Sequence, residues 1–110
     1  MSQDTPTLLR RPNDPSFLVL TSLASGPKHG YALLKDVEDF AGVTLSPGTL
    51  YGAITRLEEI GLIEPLEGVE RRRPYRLTAN GARVLQDVTT EMRRLAKVGA
   101  TRLRLATGIA

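Results

Sequence analysis

A chain of 110 residues with 41% hydrophobic and 25% charged residues has the size and composition of one folded domain. It contains no cysteine, which excludes disulfides, thiolate metal sites and a thiol nucleophile. The longest apolar stretch, around residues 17–24, is too short to cross a bilayer, and residues 1–6 do not resemble a secretory signal, so we predict a cytoplasmic protein.

Charge is unevenly distributed along the chain. Residues 1–70 carry 5 Lys and Arg against 10 Asp and Glu, whereas residues 71–110 carry 10 basic residues against 2 acidic ones. A basic segment of this kind favours a polyanionic partner, because neutralised phosphates release their condensed counterions. A solvated basic helix has the same composition, so charge alone leaves both interpretations open.

The first third of the chain predicts an arm and two helices. Residues 1–13 are polar and contain two prolines, which is typical of an arm with little structure of its own. Apolar residues at helical spacing predict a first helix over 15–25, which a Gly-Pro pair ends. A second helix is expected over about 29–40, and its apolar stripe consists of Tyr31, Leu33, Leu34, Val37 and Phe40.

The third helix has the clearest start in the sequence. After a short extended segment at 43–45, Ser46 is expected to be the N-cap and Pro47 the first helical residue. Gly61 ends this helix. Its inner side is predicted to contain Leu50, Ile54 and Leu57, and its outer side Thr49, Gly52, Ala53 and Arg56.

The remaining residues predict a β-ribbon and a long helix. Residues 62–66 and 74–78 have the pattern of two short strands joined by a polar turn that contains glycine. Thr78 is expected to cap the final helix, although the reciprocal capping-box position is occupied by Gly81 instead of Glu or Gln.

This order of elements predicts a mostly α fold with a small β-ribbon, namely a winged helix-turn-helix followed by a C-terminal dimerisation helix. We expect a flexible arm at 1–13, the DNA-binding domain at 14–80 and the dimerisation helix at 81–110. No internal repeat is present, and no metal or cofactor site is predicted.

Four segments together resemble one family: Gly26-Pro-Lys-His-Gly-Tyr31, Leu45-Ser-Pro-Gly-Thr-Leu-Tyr51, Arg56-Leu-Glu-Glu-Ile-Gly-Leu-Ile63 and Arg73-Pro-Tyr-Arg-Leu-Thr78. Over roughly residues 8–95 the chain is similar to the PadR family of bacterial transcriptional regulators. The resemblance implies a homodimeric repressor that binds double-stranded DNA at a roughly palindromic operator. It also implies release by a small apolar effector, for which we predict neither an identity nor binding residues.

The expected DNA contacts come from three places. The start of the third helix offers free amides and a positive dipole end, and its outer side is thin enough to enter a major groove. The ribbon carries three successive arginines, and the start of the second helix crosses the backbone in helix-turn-helix proteins. The predicted contacts are Lys28, His29, Tyr31, Ser46, Gly48, Thr49, Tyr51, Arg56, Arg71, Arg72 and Arg73.

The final helix has an apolar stripe longer than a body of this size can cover, which predicts burial against a second copy. Glycine in that stripe lets two helices approach closely. The predicted dimerisation residues are Leu85, Val88, Met92, Leu95, Val98, Gly99 and Leu103.

Two other functional classes were weighed. An enzyme is disfavoured, because one histidine, no cysteine and no paired carboxylates in a plausible cleft leave no nucleophile and base to combine. The alternative is a winged-helix module that binds proteins and not DNA, which the acidic second helix and the cation-poor third helix favour. A salt-dependent affinity for duplex DNA distinguishes the two.

Overall fold

The computed structural model describes residues 14–68 and 73–108. Within these ranges the elements are α1 (Pro15–Leu23), α2 (Gly30–Ala41), α3 (Pro47–Glu59), β1 (Ile63–Pro65), β2 (Tyr75–Leu77) and α4 (Ala79–Thr107). The two strands form an antiparallel ribbon, which with the turn between them we call the wing. The predicted class, a winged helix-turn-helix with a long C-terminal helix, is confirmed.

Each helix begins at a side chain that accepts a hydrogen bond from the backbone of its first turn. This arrangement satisfies one of the N–H groups that a helix start leaves without a partner. The predicted caps Ser46 and Thr78 are confirmed, and Pro47 occupies the first helical position. The four cap bonds are Asp14 with Ser16, His29 with Ala32, Ser46 with Thr49, and Thr78 with Gly81.

The helix and strand ends differ slightly from the expected boundaries. α1 stops at Leu23, two residues early, and the chain then turns at Gly26, whose φ of 140° is rarely adopted by residues with a side chain. α2 starts one residue late, because His29 serves as its cap. The strands have three residues each instead of five, because Pro74 accepts from the Leu66 N–H (2.8 Å) but has no N–H to donate back.

The core forms around α1, which packs against the other three helices and against β2. α3 packs on α1, α2 and β1, whereas α4 packs on α1 and β2. Burial of aliphatic side chains from every element provides the main stabilisation. The largest fully buried apolar side chains are Val19, Leu20, Leu33, Val37, Leu50, Leu57 and Ile63.

Three side chains differ in burial from the prediction. Ala53 is fully buried, because it lies within about 60° of Leu50 and Leu57 around the axis of α3. Tyr31 is 68% exposed, since it lies two positions before the buried Leu33, about 200° away around the helix. Phe40 is 46% exposed in the last turn of α2, beyond the buried Val37.

The turn between α3 and β1 docks onto the start of α4. The Thr78 hydroxyl donates to the carbonyl of Gly61 (2.7 Å), and the Thr78 N–H donates to the carbonyl of Leu62 (3.1 Å). Gly81 is buried directly against Leu62, and a Cβ at that position would collide with the Leu62 carbonyl oxygen. The missing capping-box side chain therefore has a physical reason, because there is no space for one.

The second half of α4 leaves the body of the domain. The helix has 29 residues and is about 43 Å long. Its buried residues, Gly81, Val84 and Val88, all lie in the first half, and Met92 is the last apolar residue packed against the core. No helix in the described ranges combines the length and apolar character needed to span a membrane.

Candidate nucleic-acid interface

The exposed side of α3 is built from small side chains. Its buried residues, Leu50, Ala53, Ile54 and Leu57, occupy one side of the helix. At about 100° per residue, the opposite side is centred on a line formed by Gly48, Gly52, Thr55 and Glu59. We define the groove face as Gly48, Thr49, Gly52, Thr55 and Arg56.

Thr55 is the member of the groove face that the sequence analysis missed. It is exposed and lies one turn after Gly52 on the outermost line of the helix, whereas Thr49 and Arg56 lie together to one side of that line. The helical period counted outward from the buried residues, instead of from Thr49, would have identified it. A threonine here presents one hydroxyl and one methyl group, which suit both polar base edges and a thymine methyl group.

Hydrogen bonds fix the start of α3. Ser46 Oγ accepts from the Thr49 N–H (3.1 Å) and donates to Thr49 Oγ1 (2.9 Å), so the Thr49 hydroxyl keeps its own proton for an outside acceptor. Pro47 has no N–H, and among the described residues the Gly48 N–H has no partner. The helix start thus presents one amide, one hydroxyl and a positive dipole end to solvent.

Tyr51 connects α3 to the start of α2. Its side chain is 48% exposed, and its hydroxyl lies directly against the backbone of Gly30, the first residue of α2. A Cβ on residue 30 would collide with that hydroxyl, so glycine at this position sets where the Tyr51 ring lies. The tyrosine hydroxyl and the first amides of α2 therefore face the same region.

Replacing Gly30 with alanine is expected to displace the Tyr51 ring and to weaken duplex DNA binding by about threefold to tenfold, the loss of one neutral hydrogen bond. Stability should change little, because the far end of a half-exposed side chain can move aside. Binding and unfolding are measured for Gly30→Ala, Tyr51→Phe and the double variant. Tyr51→Phe should lose as much affinity, and the double variant no more than either. A Tyr51→Phe protein with wild-type affinity would contradict this role for the hydroxyl.

The base of the wing lies near Tyr51. Burial raises the pKa of the Tyr75 phenol above its usual value, the nearby Glu58 carboxylate raises it further, and Arg73 acts in the opposite direction. Tyr51 also acts on this pKa, so the wing strand, the end of α3 and Arg73 share one neighbourhood. Arg73 itself is exposed and has no partner among the described residues.

The other arginines of α3 and the wing divide into three groups. Arg71 and Arg72 lie outside the described residues. Arg56 is exposed in the last turn of α3 and free of ion pairs within the described ranges. Arg76, on β2, is held by Glu64 across the ribbon, with 2.7 Å between Nε and Oε2. Arg56 and Arg73 are therefore the described cations near α3 and the wing that are available to an external anion.

The start of α2 differs from the expectation. The Lys28 side chain turns inward, and its ammonium donates to Ser25 Oγ (2.7 Å) and to the carbonyls of Ser22 (2.5 Å) and Gly26 (3.4 Å). The His29 ring caps α2 through Nδ1 and is half-buried. Tyr31 remains the exposed side chain of the first turn. Among residues 14–68 and 73–108, no group of three His, Asp or Glu side chains is arranged to hold a metal ion.

Residues 19–87 match the family model described as the transcriptional regulator PadR-like family. A solved PadR family regulator from Clostridium difficile is 30% identical, with a TM-score of 0.72 over 81% of this chain and 97% of that one. Another, from Eggerthella lenta, is 36% identical, with a TM-score of 0.65 over 80% of each chain.

A further relative is an uncharacterised 37.1 kDa protein in a transposon of Streptomyces fradiae, 47% identical over 85 residues. That match covers 77% of this chain and 25% of the relative, so the chain spans about a quarter of the relative's length. The family match covers more than half of the chain and agrees with the fold and with the motifs at α2, α3 and the wing. This chain belongs to the PadR-like family of transcriptional regulators, which bind DNA.

Proposed function

We propose that the protein is a cytoplasmic, dimeric repressor that binds a roughly palindromic duplex operator and is released by a small apolar effector. The observation that carries the DNA-binding part is the groove face. Its two glycines and two threonines leave no bulky side chain on this face over the first two turns of α3, so base edges can come close to the Thr49 and Thr55 hydroxyls.

Sequence readout and electrostatic anchoring are divided between elements. α3 carries Arg56 as its one cation and ends in Glu58 and Glu59, so it contributes little net attraction to phosphate. The anchoring is assigned to Arg73 together with Arg71 and Arg72, three guanidinium groups that suit phosphates or a minor groove. Because phosphate contacts set orientation and base contacts set sequence preference, the wing supplies affinity and α3 supplies selectivity.

The dimer is assigned to the projecting half of α4. This half lies within the proposed dimerisation region at 81–110, which follows the DNA-binding domain at 14–80 and the arm at 1–13. The first part of the predicted stripe belongs to the core of the same protomer, where Val88 is buried and Leu85 and Met92 pack against it. The later apolar side chains Leu95, Val98 and Leu103 are exposed. Contact with the same helix of a second copy would bury them. A two-fold dimer matches half-sites about one or two helical turns apart on DNA.

Effector release is assigned to the junction of α4 with the body. A groove of about 430 Å³ lies there between the end of α1, β2 and α4. It is lined by Ala24, Leu77, Ala82, Leu85, Gln86, Thr89, Thr90 and Arg93. A ligand in this groove would change the angle of α4 and thereby the distance between the two groove faces of a dimer. This distance must match the spacing of the two half-sites for the dimer to bind a palindromic operator.

The test is a titration of labelled duplex DNA at several salt concentrations. The logarithm of the wild-type association constant should fall linearly with the logarithm of salt concentration. Arg56→Ala and Arg73→Ala should each reduce that slope by up to about 0.9, the value for one phosphate contact. Lys97→Ala is the matched control, since Lys97 is an exposed cation on the projecting half of α4, and its slope should equal that of the wild type.

Each outcome has a distinct meaning. Wild-type protein without a salt-dependent affinity for duplex DNA would overturn the proposal and favour the protein-binding alternative. An equal loss of slope in all three variants would show that binding follows net charge and not the groove face and wing.

A further inference from the structure

Lys28 contacts α1, α2 and the wing, three elements whose relative positions determine the shape of a DNA-binding surface. Its side chain is 18% exposed, and its ammonium bonds the Ser22 and Gly26 carbonyls and the Ser25 hydroxyl at the end of α1. An ammonium has three N–H donors, and three acceptors are present, so none is left for an external phosphate. This lysine acts as a cation at a helix C-terminus, where carbonyls lack partners.

The same ammonium also pairs with α2. It lies 3.9 Å from Asp36 Oδ2, and that oxygen accepts a 2.6 Å hydrogen bond from the Ser22 hydroxyl, which is buried. Asp36 is therefore held by α1 through both a charge and a hydroxyl. Loss of the lysine charge would leave this partly buried carboxylate without its counter-ion, which disfavours the present arrangement of α1 and α2.

The backbone of Lys28 binds the wing. Its N–H donates to the Tyr75 carbonyl (3.1 Å), and the Tyr75 N–H donates back to the Lys28 carbonyl (2.9 Å). Tyr75 in turn lies near Tyr51, Glu58 and Arg73. A shift of Lys28 relative to α1 and α2 would thus be transmitted to the strand that carries the wing.

We infer that Lys28 is a positioning residue that sets the orientation of the wing relative to the groove face and does not contact DNA. This inference rests on the proposed function. It predicts that loss of the Lys28 charge lowers the preference for the operator over other DNA and leaves the number of phosphate contacts unchanged. A phosphate-binding lysine would behave in the opposite way, since its loss weakens binding to all sequences and reduces the salt slope.

The experiment first selects a tight-binding duplex from a random pool with the wild-type protein. Affinities for that duplex and for an unrelated one of equal length are then measured over a salt series, well below the unfolding temperature. Lys28→Met keeps an unbranched chain without the charge. Its preference for the selected duplex should fall about tenfold, at the lower end of what one good base contact contributes, while its salt slope equals that of the wild type.

Two further variants keep the test decisive. Arg56→Ala, a proposed phosphate or base contact, should lose slope by up to about 0.9. Asp36→Asn keeps an oxygen for the Ser22 hydroxyl and removes only the ion pair. It should therefore lower the preference for the selected duplex, as Lys28→Met does. If Lys28→Met does not fold, Asp36→Asn takes its place in the test.

The outcomes separate the two claims. A salt slope for Lys28→Met that falls by about 0.9 would overturn the inference and return Lys28 to the DNA contacts. An unchanged preference in folded Lys28→Met or Asp36→Asn would also overturn it, because the network would then serve stability alone. Failure of the wild-type protein to bind any duplex would instead overturn the proposed function.

Discussion

Alanine in place of Gly81 is expected to destabilise the protein by about 3 kcal/mol, although alanine is normally the better helix former. Gly81 lies in the first turn of α4, where its backbone is buried against Leu62. An added Cβ would meet the Leu62 carbonyl oxygen, and this oxygen is fixed because it accepts the Thr78 N–H. The turn after α3 and the start of α4 must therefore separate, which disturbs the junction that supports both the wing and the groove face.

Chemical denaturation at a fixed protein concentration measures this effect. Gly52→Ala is the matched control, because Gly52 is also helical but has open space where the Cβ would be placed. It should gain about 0.5–1 kcal/mol from the lower backbone entropy of the unfolded alanine chain. Equal stability of Gly81→Ala and the wild type would show that the contact relaxes without cost and would remove Gly81 as a fold determinant.

The helix starts were predictable because their chemistry is local. A capping side chain and the N–H that donates to it are two or three residues apart, so Ser46 with Pro47, and Thr78, carry their own signal. The order of helices and strands followed for the same reason. The capping role of His29 was not predicted, because histidine is not among the usual capping residues. Only the structure shows its Nδ1 accepting from the Ala32 N–H.

Side-chain direction was less predictable, because it depends on neighbours that are distant in sequence. Lys28 is at the position where a helix-turn-helix crosses DNA, yet three acceptors at the end of α1 and the charge of Asp36 draw its ammonium inward. Ala53 has a side chain small enough for either side of α3, so composition did not indicate that it is buried. Gly81 in the sequence indicated only an incomplete capping box after Thr78. The structure shows why no side chain is present there, since the turn at Leu62 packs directly against this position.

Glutamate in place of Leu95 is expected to convert the proposed dimer into a monomer. Leu95 is 54% exposed and lies about 60° around α4 from Met92, the last apolar residue that packs on the core. In a two-fold interface each substitution occurs twice, so two carboxylates would be buried close to the axis without partners. A buried charge without a partner costs several kcal/mol, so dissociation should rise on the order of a hundredfold or more.

Light scattering at micromolar concentration and duplex titration measure the two consequences. Separated protomers would bind half-sites independently, so operator affinity should fall by about a hundredfold or more while each groove face remains intact. Ala100→Glu is the matched control, because Ala100 is exposed on the same helix but lies about 140° around the axis from Leu95 and about 160° from Val98. If Leu95→Glu keeps the wild-type mass while Ala100→Glu loses it, the contact lies on the other side of α4. The arginines and lysine of that side would then be brought together between protomers, and dimerisation itself would require an anion.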